Sequence, residues 1–126
     1  MKNVLVDTDI LINFLRGKET AGYYLNSLLE DSTVYCSAIT IAEIQAGMKD
    51  HEKDKTNALI DGLNIVEVNK EIAEKAGYYI RTQKKQLLEL NDCFTAATAF
   101  SKRAVLATGN GKHCPMEDIR KVIVGE

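Results

Sequence analysis

Three acidic residues stand far apart in the chain, each beside a segment of apolar or small residues. Asp7 follows the apolar residues 4–6, Glu43 follows the β-branched and aromatic residues 33–37, and Asp92 precedes the small residues 95–99. Carboxylates that share a pocket repel one another unless a cation offsets their charge. Because carboxylate oxygens suit Mg²⁺ or Mn²⁺ better than Zn²⁺, the pattern predicts a divalent-metal site. A cation held there can activate water for attack on phosphorus, which requires no Ser, Cys or His nucleophile.

The elements that would position these acids alternate between strands and helices along the chain. Apolar or β-branched runs predict strands at residues 4–6, 33–37, 64–68, 104–108 and 122–124. Helical spacing predicts helices around residues 10–15 and 23–29, from Thr40, around 58–63 after a polar stretch, from Asn69 to residues 84–86, and from Asp92. This order predicts an α/β fold whose mainly parallel central sheet is flanked by helices on both faces. No repeat or linker is visible, so we expect a single domain over residues 1–126.

The predicted strand ends bring polar side chains to one edge of that sheet. Sites in open parallel sheets form beyond the carboxyl ends of the strands. Asp7 directly follows the first strand, and Glu43 lies about one helical turn after the second. Asp92 starts the helix that leads to the fourth strand, and Thr108 and Asn110 stand at the end of that strand. Their joint placement favours a functional site more strongly than any one of them does alone.

Each of these residues also has a purely structural interpretation. Asp7 can cap the first helix, as Asp does in many proteins. Glu43 stands three residues after Thr40, which is the spacing of a capping box. Asp92 near a helix N-terminus is stabilised by the helix dipole in any protein, and Asn110 between two glycines is typical of a turn.

The composition limits the classes of protein that the chain can belong to. The formal net charge is −2, which argues against a protein that holds nucleic acid by bulk positive charge. It remains compatible with an enzyme whose acidic pocket binds metal, because those acids contribute to the negative total. The N-terminal apolar run is short and ends at an acid, and no run approaches the length of a spanning helix. We therefore expect a cytoplasmic protein.

The three cysteines, Cys36, Cys93 and Cys114, are odd in number and form no CxxC pair. This arrangement is typical of reduced structural thiols. His113 and Cys114 are adjacent and could bind a soft metal, but two neighbouring residues without a second pair are more typical of a surface loop.

Four segments together resemble the motifs of the PIN-domain family, and most closely the compact VapC toxins. They are residues 7–12 (DTDILI), 39–47 (ITIAEIQAG), 92–99 (DCFTAATA) and 106–110 (LATGN). Their order and spacing match along nearly the whole chain. The resemblance implies a Mg²⁺- or Mn²⁺-dependent endoribonuclease whose acidic core is Asp7, Glu43 and Asp92.

The same resemblance implies partners and supporting residues. It implies a homodimer, an RNA substrate (tRNA, rRNA or mRNA) and a small VapB-like antitoxin that inserts a tail into the active groove. Asn110 stands where many PIN domains have Asp, so it is a weaker metal ligand through its carbonyl oxygen. Thr8, Asp9 and Thr108 are expected around the ligands rather than on the metal. Arg16 and Gly17 are expected to end the helix after Asp7, because Gly suits the C-terminal position of a helix. Arg16 is a candidate for contact with an RNA phosphate.

Two other functions fit parts of the pattern. A PIN-like module that has lost catalysis and binds RNA or protein is one, because Asn110 removes a charge from the site. A haloacid-dehalogenase-type phosphatase is the other, because residues 7–9 (DTD) follow an apolar strand. That class requires a Lys and a further acidic pair at later strand ends, and no acidic doublet follows the strand at 104–108.

Overall fold

The computed structural model describes residues 2–83 and 88–125 and contains a five-stranded, fully parallel sheet. Its strands are β1 (Lys2–Val6), β2 (Ser32–Ser37), β3 (Asn64–Val66), β4 (Val105–Thr108) and β5 (Lys121–Ile123). Their order across the sheet is β3-β2-β1-β4-β5. The predicted α/β fold with a parallel sheet is therefore confirmed. The extent of the domain over residues 1–126 stays a prediction.

Six α-helices in the described residues pack against this sheet. They are α1 (Thr8–Leu15), α2 (Glu19–Leu28), α3 (Ala38–Gly47), α4 (Lys53–Asp61), α5 (Lys70–Thr82) and α6 (Leu90–Lys102). Among the described residues, no helix is long and apolar enough to span a bilayer.

The sheet separates two hydrophobic cores, which confirms that helices cover both faces. Successive side chains of a strand point to opposite faces. Leu5 of β1 accordingly packs with the core formed by α5 and α6, which includes Ile72 and Ala96. Its neighbours Val4 and Val6 pack with the other core, beside α1, α2 and α3. These last three of the five residues of β1 are at most 3% exposed, so this strand forms the centre of both cores.

The strand order places a topological switch point at the end of β1. The chain runs from β1 outward to β2 and β3, then returns to place β4 on the other side of β1. Leu5 of β1 is in register with both Tyr35 of β2 and Leu106 of β4. The carboxyl ends of β1, β2 and β4 therefore lie side by side, which is where ligands bind in sheets of this type.

The turn that ends α1 has the predicted chemistry. Gly17 adopts a φ of 78°, a left-handed conformation that costs glycine nothing because it has no Cβ. The backbone N–H of Lys18 then returns to the carbonyl of Asn13. The prediction that Arg16 and Gly17 end the helix is confirmed.

Two predicted helix starts are wrong, and the first error has a local cause. Helix α3 begins at Ala38, two residues before the predicted start at Thr40, because the Ser37 hydroxyl caps it by accepting the Ile39 N–H at 3.1 Å. Helix α6 begins at Leu90 rather than at Asp92, which lies inside its first turn. The predicted end of α5 among residues 84–86 lies outside the described residues, and the described helix ends at Thr82.

Two further boundaries differ from the sequence prediction. The helix predicted around residues 58–63 begins earlier: a 3₁₀ turn, Asp50–Glu52, leads directly into α4, which spans Lys53–Asp61. Its polar composition reflects exposure rather than lack of structure. Strand β3 ends at Val66 instead of at residue 68, because it is an edge strand that pairs only with β2 over three residues.

Candidate active site

Asp7 occupies the end of β1 and is fixed there by three hydrogen bonds. Its backbone N–H donates to the Ala107 carbonyl at 2.9 Å, which continues the ladder between β1 and β4. Its Oδ1 accepts the N–H of Thr8 at 2.8 Å and so caps α1, as predicted. Its Oδ2 accepts the Thr108 hydroxyl at 2.9 Å. Each oxygen keeps a further lone pair, so capping the helix and binding a cation are compatible roles.

The environment of Asp7 disfavours its charge. Burial raises its pKa from the usual 3.8 to about 6, the negative charges of Asp9 and Asp92 add to the shift, and the hydrogen bonds from Thr108 and Thr8 oppose it. A carboxylate that is costly to ionise gains most from a bound cation.

The side chain of Glu43, a residue of α3, is positioned by a hydrogen bond from a residue of α1. Its Oε1 accepts the hydroxyl of Thr8 at 2.8 Å, and that hydroxyl is also hydrogen-bonded, at 2.9 Å, to the hydroxyl of the fully buried Thr40. Since Ser37 is the cap of α3, the capping-box interpretation of Glu43 is wrong. Thr40 acts instead in the contact between α1 and α3.

Asp92 lies in the first turn of α6, with 23% of its side chain exposed. Burial raises its pKa, the nearby His113 and a hydrogen bond from the Glu89 backbone N–H lower it in part, and the negative charges of Glu89 and Glu43 raise it again. Asp92 also contributes to the raised pKa of Asp7. Asp92 is thus close enough to both Asp7 and Glu43 for their charges to interact.

Asp9 contributes a fourth carboxylate at the same edge. Its Oδ2 accepts the N–H of Gly109 at 2.9 Å, and its Oδ1 is buried without a hydrogen-bond partner in the structure. A Cβ at position 109 would lie only 2.6 Å from that Oδ2, so the close approach requires glycine. Asp9 and Thr108 therefore lie around Asp7, as the sequence predicts.

Asn110 and His113 follow β4 and lie next to Asp92. The Oδ1 of Asn110 accepts the N–H of Lys112 at 3.1 Å and so caps the 3₁₀ turn Gly111–His113. Its Nδ2 lies 3.3 Å from Nε2 of His113, whose Nδ1 lies 4.0 Å from Oδ1 of Asp92. The predicted role of Asn110 as a weaker ligand stays a prediction.

His113 is the residue at this site that the sequence reasoning missed. In the sequence His113 is notable only as the neighbour of Cys114. In the structure Cys114 is buried in the α5–α6 core, while His113 is half exposed beside Asp92. When an Asn side chain caps a 3₁₀ turn, the side chain three residues further along the chain lies next to that Asn. The spacing of Asn110 and His113 was therefore the available signal.

Arg16 lines the same cleft as Glu43. The two residues line a cavity of about 190 Å³ together with Ile12 and Met48. In the part of the chain that the structure describes, no carboxylate pairs with the Arg16 guanidinium. Its proposed contact with an RNA phosphate stays a prediction, and the position favours it.

The acidic residues fit a divalent cation such as Mg²⁺. The ligand candidates Asp7, Glu43, Asp92 and Asn110 all offer oxygen atoms, and the buried Asp9 Oδ1 lacks a partner that a cation or its water would supply. Within residues 2–83 and 88–125, no three His, Cys, Asp or Glu side chains enclose an ion by themselves. This is compatible with Mg²⁺, which keeps several waters and binds through one or two carboxylates plus substrate phosphates.

The cysteines take no part in the site. Cys36, Cys93 and Cys114 are free and buried, as predicted. Burial raises the pKa of each thiol to about 11, which disfavours the reactive thiolate.

Comparison with known proteins decides the family. The model of the PIN domain matches residues 4–118. The chain belongs to the PIN-domain family. This PIN domain is 33% identical over 115 residues to the protein named ribonuclease VapC10 of Mycobacterium tuberculosis, which covers 90% of this chain and 86% of the relative. The resemblance predicted from the four motifs is confirmed.

Solved structures of similar proteins agree with the fold of this PIN domain. A toxin–antitoxin complex from Klebsiella pneumoniae contains a chain with a TM-score of 0.80 and 29% identity, which covers 92% of this chain and 94% of that one. A VapBC2 complex from Rickettsia felis contains one with a TM-score of 0.83 and 22% identity, which covers 95% of this chain and 97% of that one.

Proposed function

We propose that this PIN-domain protein is a Mg²⁺- or Mn²⁺-dependent endoribonuclease and the toxin of a toxin–antitoxin pair. The observation that carries the proposal is that the charge of Asp92 interacts with those of Asp7 and Glu43 at the edge of the sheet where β1 ends, beside the unpartnered Asp9 Oδ1. The relatives named ribonuclease VapC support the reaction class.

The chain's own residues supply the geometry of the reaction. Asp7, Glu43 and Asp92 are the ligand candidates, with Asn110 as a weaker one. Thr8 and Thr108 orient two of these carboxylates through their hydroxyls. When bound, the divalent cation lowers the pKa of water and offsets the charge of the phosphodiester. Arg16 lies where it can contact a neighbouring phosphate of the RNA.

An antitoxin and a second copy of the chain are the proposed protein partners. The similar solved structures include toxin–antitoxin complexes, which supports a VapB-like partner. An apolar groove of about 620 Å³, lined by Phe14, Leu25, Leu29, Leu59 and Leu63, offers a surface that such a partner can cover. The homodimer and the cytoplasmic location rest on the family resemblance and on the sequence, respectively.

A second candidate is a PIN-like module that binds RNA or protein without cutting it. It is favoured by the Asn110 carbonyl oxygen, which already accepts the Lys112 N–H and brings no charge to the site. Metal binding without metal-dependent cleavage would support this alternative.

The chemistry of the cut RNA ends tests the proposed reaction. We would cleave a pool of tRNA, rRNA and mRNA with Mg²⁺ present and determine the termini at each cut. Water as the nucleophile leaves no 2′,3′-cyclic phosphate, and a 2′-deoxy substitution at the cut site leaves cleavage intact. A cyclic phosphate, or loss of cleavage at the 2′-deoxy site, would show attack by the neighbouring 2′-hydroxyl and contradict the proposal.

A further inference from the structure

His113 is fixed beside the candidate metal site by a short turn. The turn Gly111–His113 is capped by the Asn110 side chain, and the His113 N–H also donates to the Asn110 carbonyl at 3.2 Å. These two bonds place the imidazole next to the residue that caps the turn. The chain has one other histidine, His51, which is exposed on the 3₁₀ turn Asp50–Glu52.

The orientation of the Asn110 amide determines which imidazole nitrogen carries the proton. Oδ1 of Asn110 is fixed by the Lys112 N–H, so the NH₂ group faces His113. An amide NH₂ can only donate, and Nε2 of His113, 3.3 Å away, must therefore accept. The neutral ring then carries its proton on Nδ1, because one nitrogen of a neutral imidazole is the donor and the other the acceptor.

That Nδ1–H faces the carboxylate of Asp92. Nδ1 lies 4.0 Å from Oδ1 of Asp92, and the His113 side chain is 56% exposed against 23% for Asp92. The exposed ring can close the remaining gap by a small movement, and hydrogen bonds at such sites are often long before the ligand binds. The ring thus lies between the Asn110 amide and Asp92.

We propose that His113 is a positioning residue for Asp92: held by the amide of Asn110, it donates Nδ1–H to the carboxylate and orients it towards the divalent cation. The inference rests on the proposed function, because Asp92 is a ligand only if the site binds metal. Asn110 and His113 then act as one unit where many PIN domains place a fourth acid. Partners that orient metal ligands in this way contribute strongly to metal affinity.

Titration of RNA-free protein with Mn²⁺ in a calorimeter tests the proposal without measuring cleavage. We expect His113→Ala to weaken Mn²⁺ binding about tenfold, as loss of a ligand-orienting partner commonly does. His113→Asn places an amide donor near the position of Nδ1 and should recover most of the affinity. Asn110→Ala should weaken binding at least as much, because Asn110 is also a weaker ligand candidate, and the double variant should bind like Asn110→Ala, because His113 acts only when Asn110 holds it. His51→Ala is the matched control and should bind like the wild type.

Nitrogen NMR of the two histidines gives an independent readout. At a pH where both rings are neutral, we expect the Nδ1–H tautomer for His113. The Nε2–H tautomer at His113, or Mn²⁺ affinity that is unchanged or higher in a folded His113→Ala protein, would overturn the inference. Absence of Mn²⁺ binding by the wild type together with absence of metal-dependent RNA cleavage would instead overturn the proposed function, so the two failures are distinguishable.

Discussion

The hydroxyl of Thr108 donates a hydrogen bond to Oδ2 of Asp7 at 2.9 Å, and this bond joins residues that are 101 positions apart in the chain. Thr108 ends β4, Asp7 follows β1, and the two strands are neighbours in the sheet. Thr108 is 1% exposed, so water cannot replace its hydroxyl. The contact fixes one carboxylate of the site to the sheet itself.

Replacement of Thr108 by Val should remove that hydrogen bond while keeping the shape of the side chain. We expect the free energy of unfolding to fall by about 1–2 kcal/mol and RNA cleavage to fall about tenfold, because Asp7 loses a charge-assisted bond. Thr98→Val is the matched control, since Thr98 is also buried but donates to the Phe94 carbonyl within α6. Equal cleavage by both variants would show that Thr108 has only a structural role.

Asp7→Asn should stabilise the metal-free protein at neutral pH. The folded-state pKa of Asp7 is about 6, above the usual 3.8. Below about pH 4 the carboxyl is protonated in both states and folding carries no charge penalty; the penalty grows as the pH rises and is complete above about pH 6. A shift of about two units corresponds to at most about 3 kcal/mol.

Urea unfolding in EDTA measures this effect. We expect the Asn variant to be more stable than the wild type by about 1–3 kcal/mol at about pH 8, and the difference to nearly vanish at about pH 4. A variant that is less stable at the higher pH, or a difference that does not depend on pH, contradicts the account of Asp7.

Gly109→Ala should be destabilising because of Asp9. The added methyl group would lie 2.6 Å from Oδ2 of Asp9, so the carboxylate or the loop has to move. We expect a loss of about 1–3 kcal/mol in the free energy of unfolding. In the Asp9→Ala background the same substitution should cost much less, since the clashing oxygen is absent.

A second glycine provides the control for that experiment. Gly22 lies in α2, and a Cβ there would meet nothing within 4 Å. Gly22→Ala should therefore stabilise the protein by about 0.5–1 kcal/mol through the helix propensity of Ala. If Gly109→Ala costs as much with Asp9 removed as with it present, the contact is not the cause.

Arg16→Ala should weaken binding to RNA with little effect on the folded state. Arg16 is exposed, lines the same cleft as Glu43, and has no carboxylate partner among the described residues. Loss of one phosphate contact should lower the slope of log affinity against log salt by about 0.7–0.9. Lys53→Ala, which removes an exposed charge at the start of α4, is the control. An unchanged salt slope for Arg16→Ala places the guanidinium away from the RNA.

Alternating strands and helices were enough to predict that Asp7, Glu43 and Asp92 lie at the same edge of the sheet. The carboxyl ends of parallel strands share one edge, and a helix that returns to the next strand starts on that side, so residues at both kinds of position approach one another. The same reasoning predicted Thr108 beside Asp7. These are consequences of the fold class, and the sequence pattern carries the fold class clearly.

Contacts that depend on the conformation of a loop could not be predicted in this way. The bond between Asp9 and the Gly109 N–H, and the approach of His113 to Asp92, depend on how the segment after β4 turns. The start of α3 was missed because Ser37 and Thr40 are both good caps, and only the end of β2 decides between them. Periodicity carries no information on such choices.

Cleavage of a pool of tRNA and rRNA by the wild type and by Asp92→Asn tests the central claim most directly. The reactions would contain Mg²⁺, Mn²⁺ or EDTA, with Asp61→Asn, at the exposed end of α4, as the matched control. We predict discrete cuts by the wild type and the control that require metal and are absent with Asp92→Asn. Cleavage that persists in EDTA or in Asp92→Asn, or none by folded, antitoxin-free wild type, would contradict a metal-dependent ribonuclease at this site.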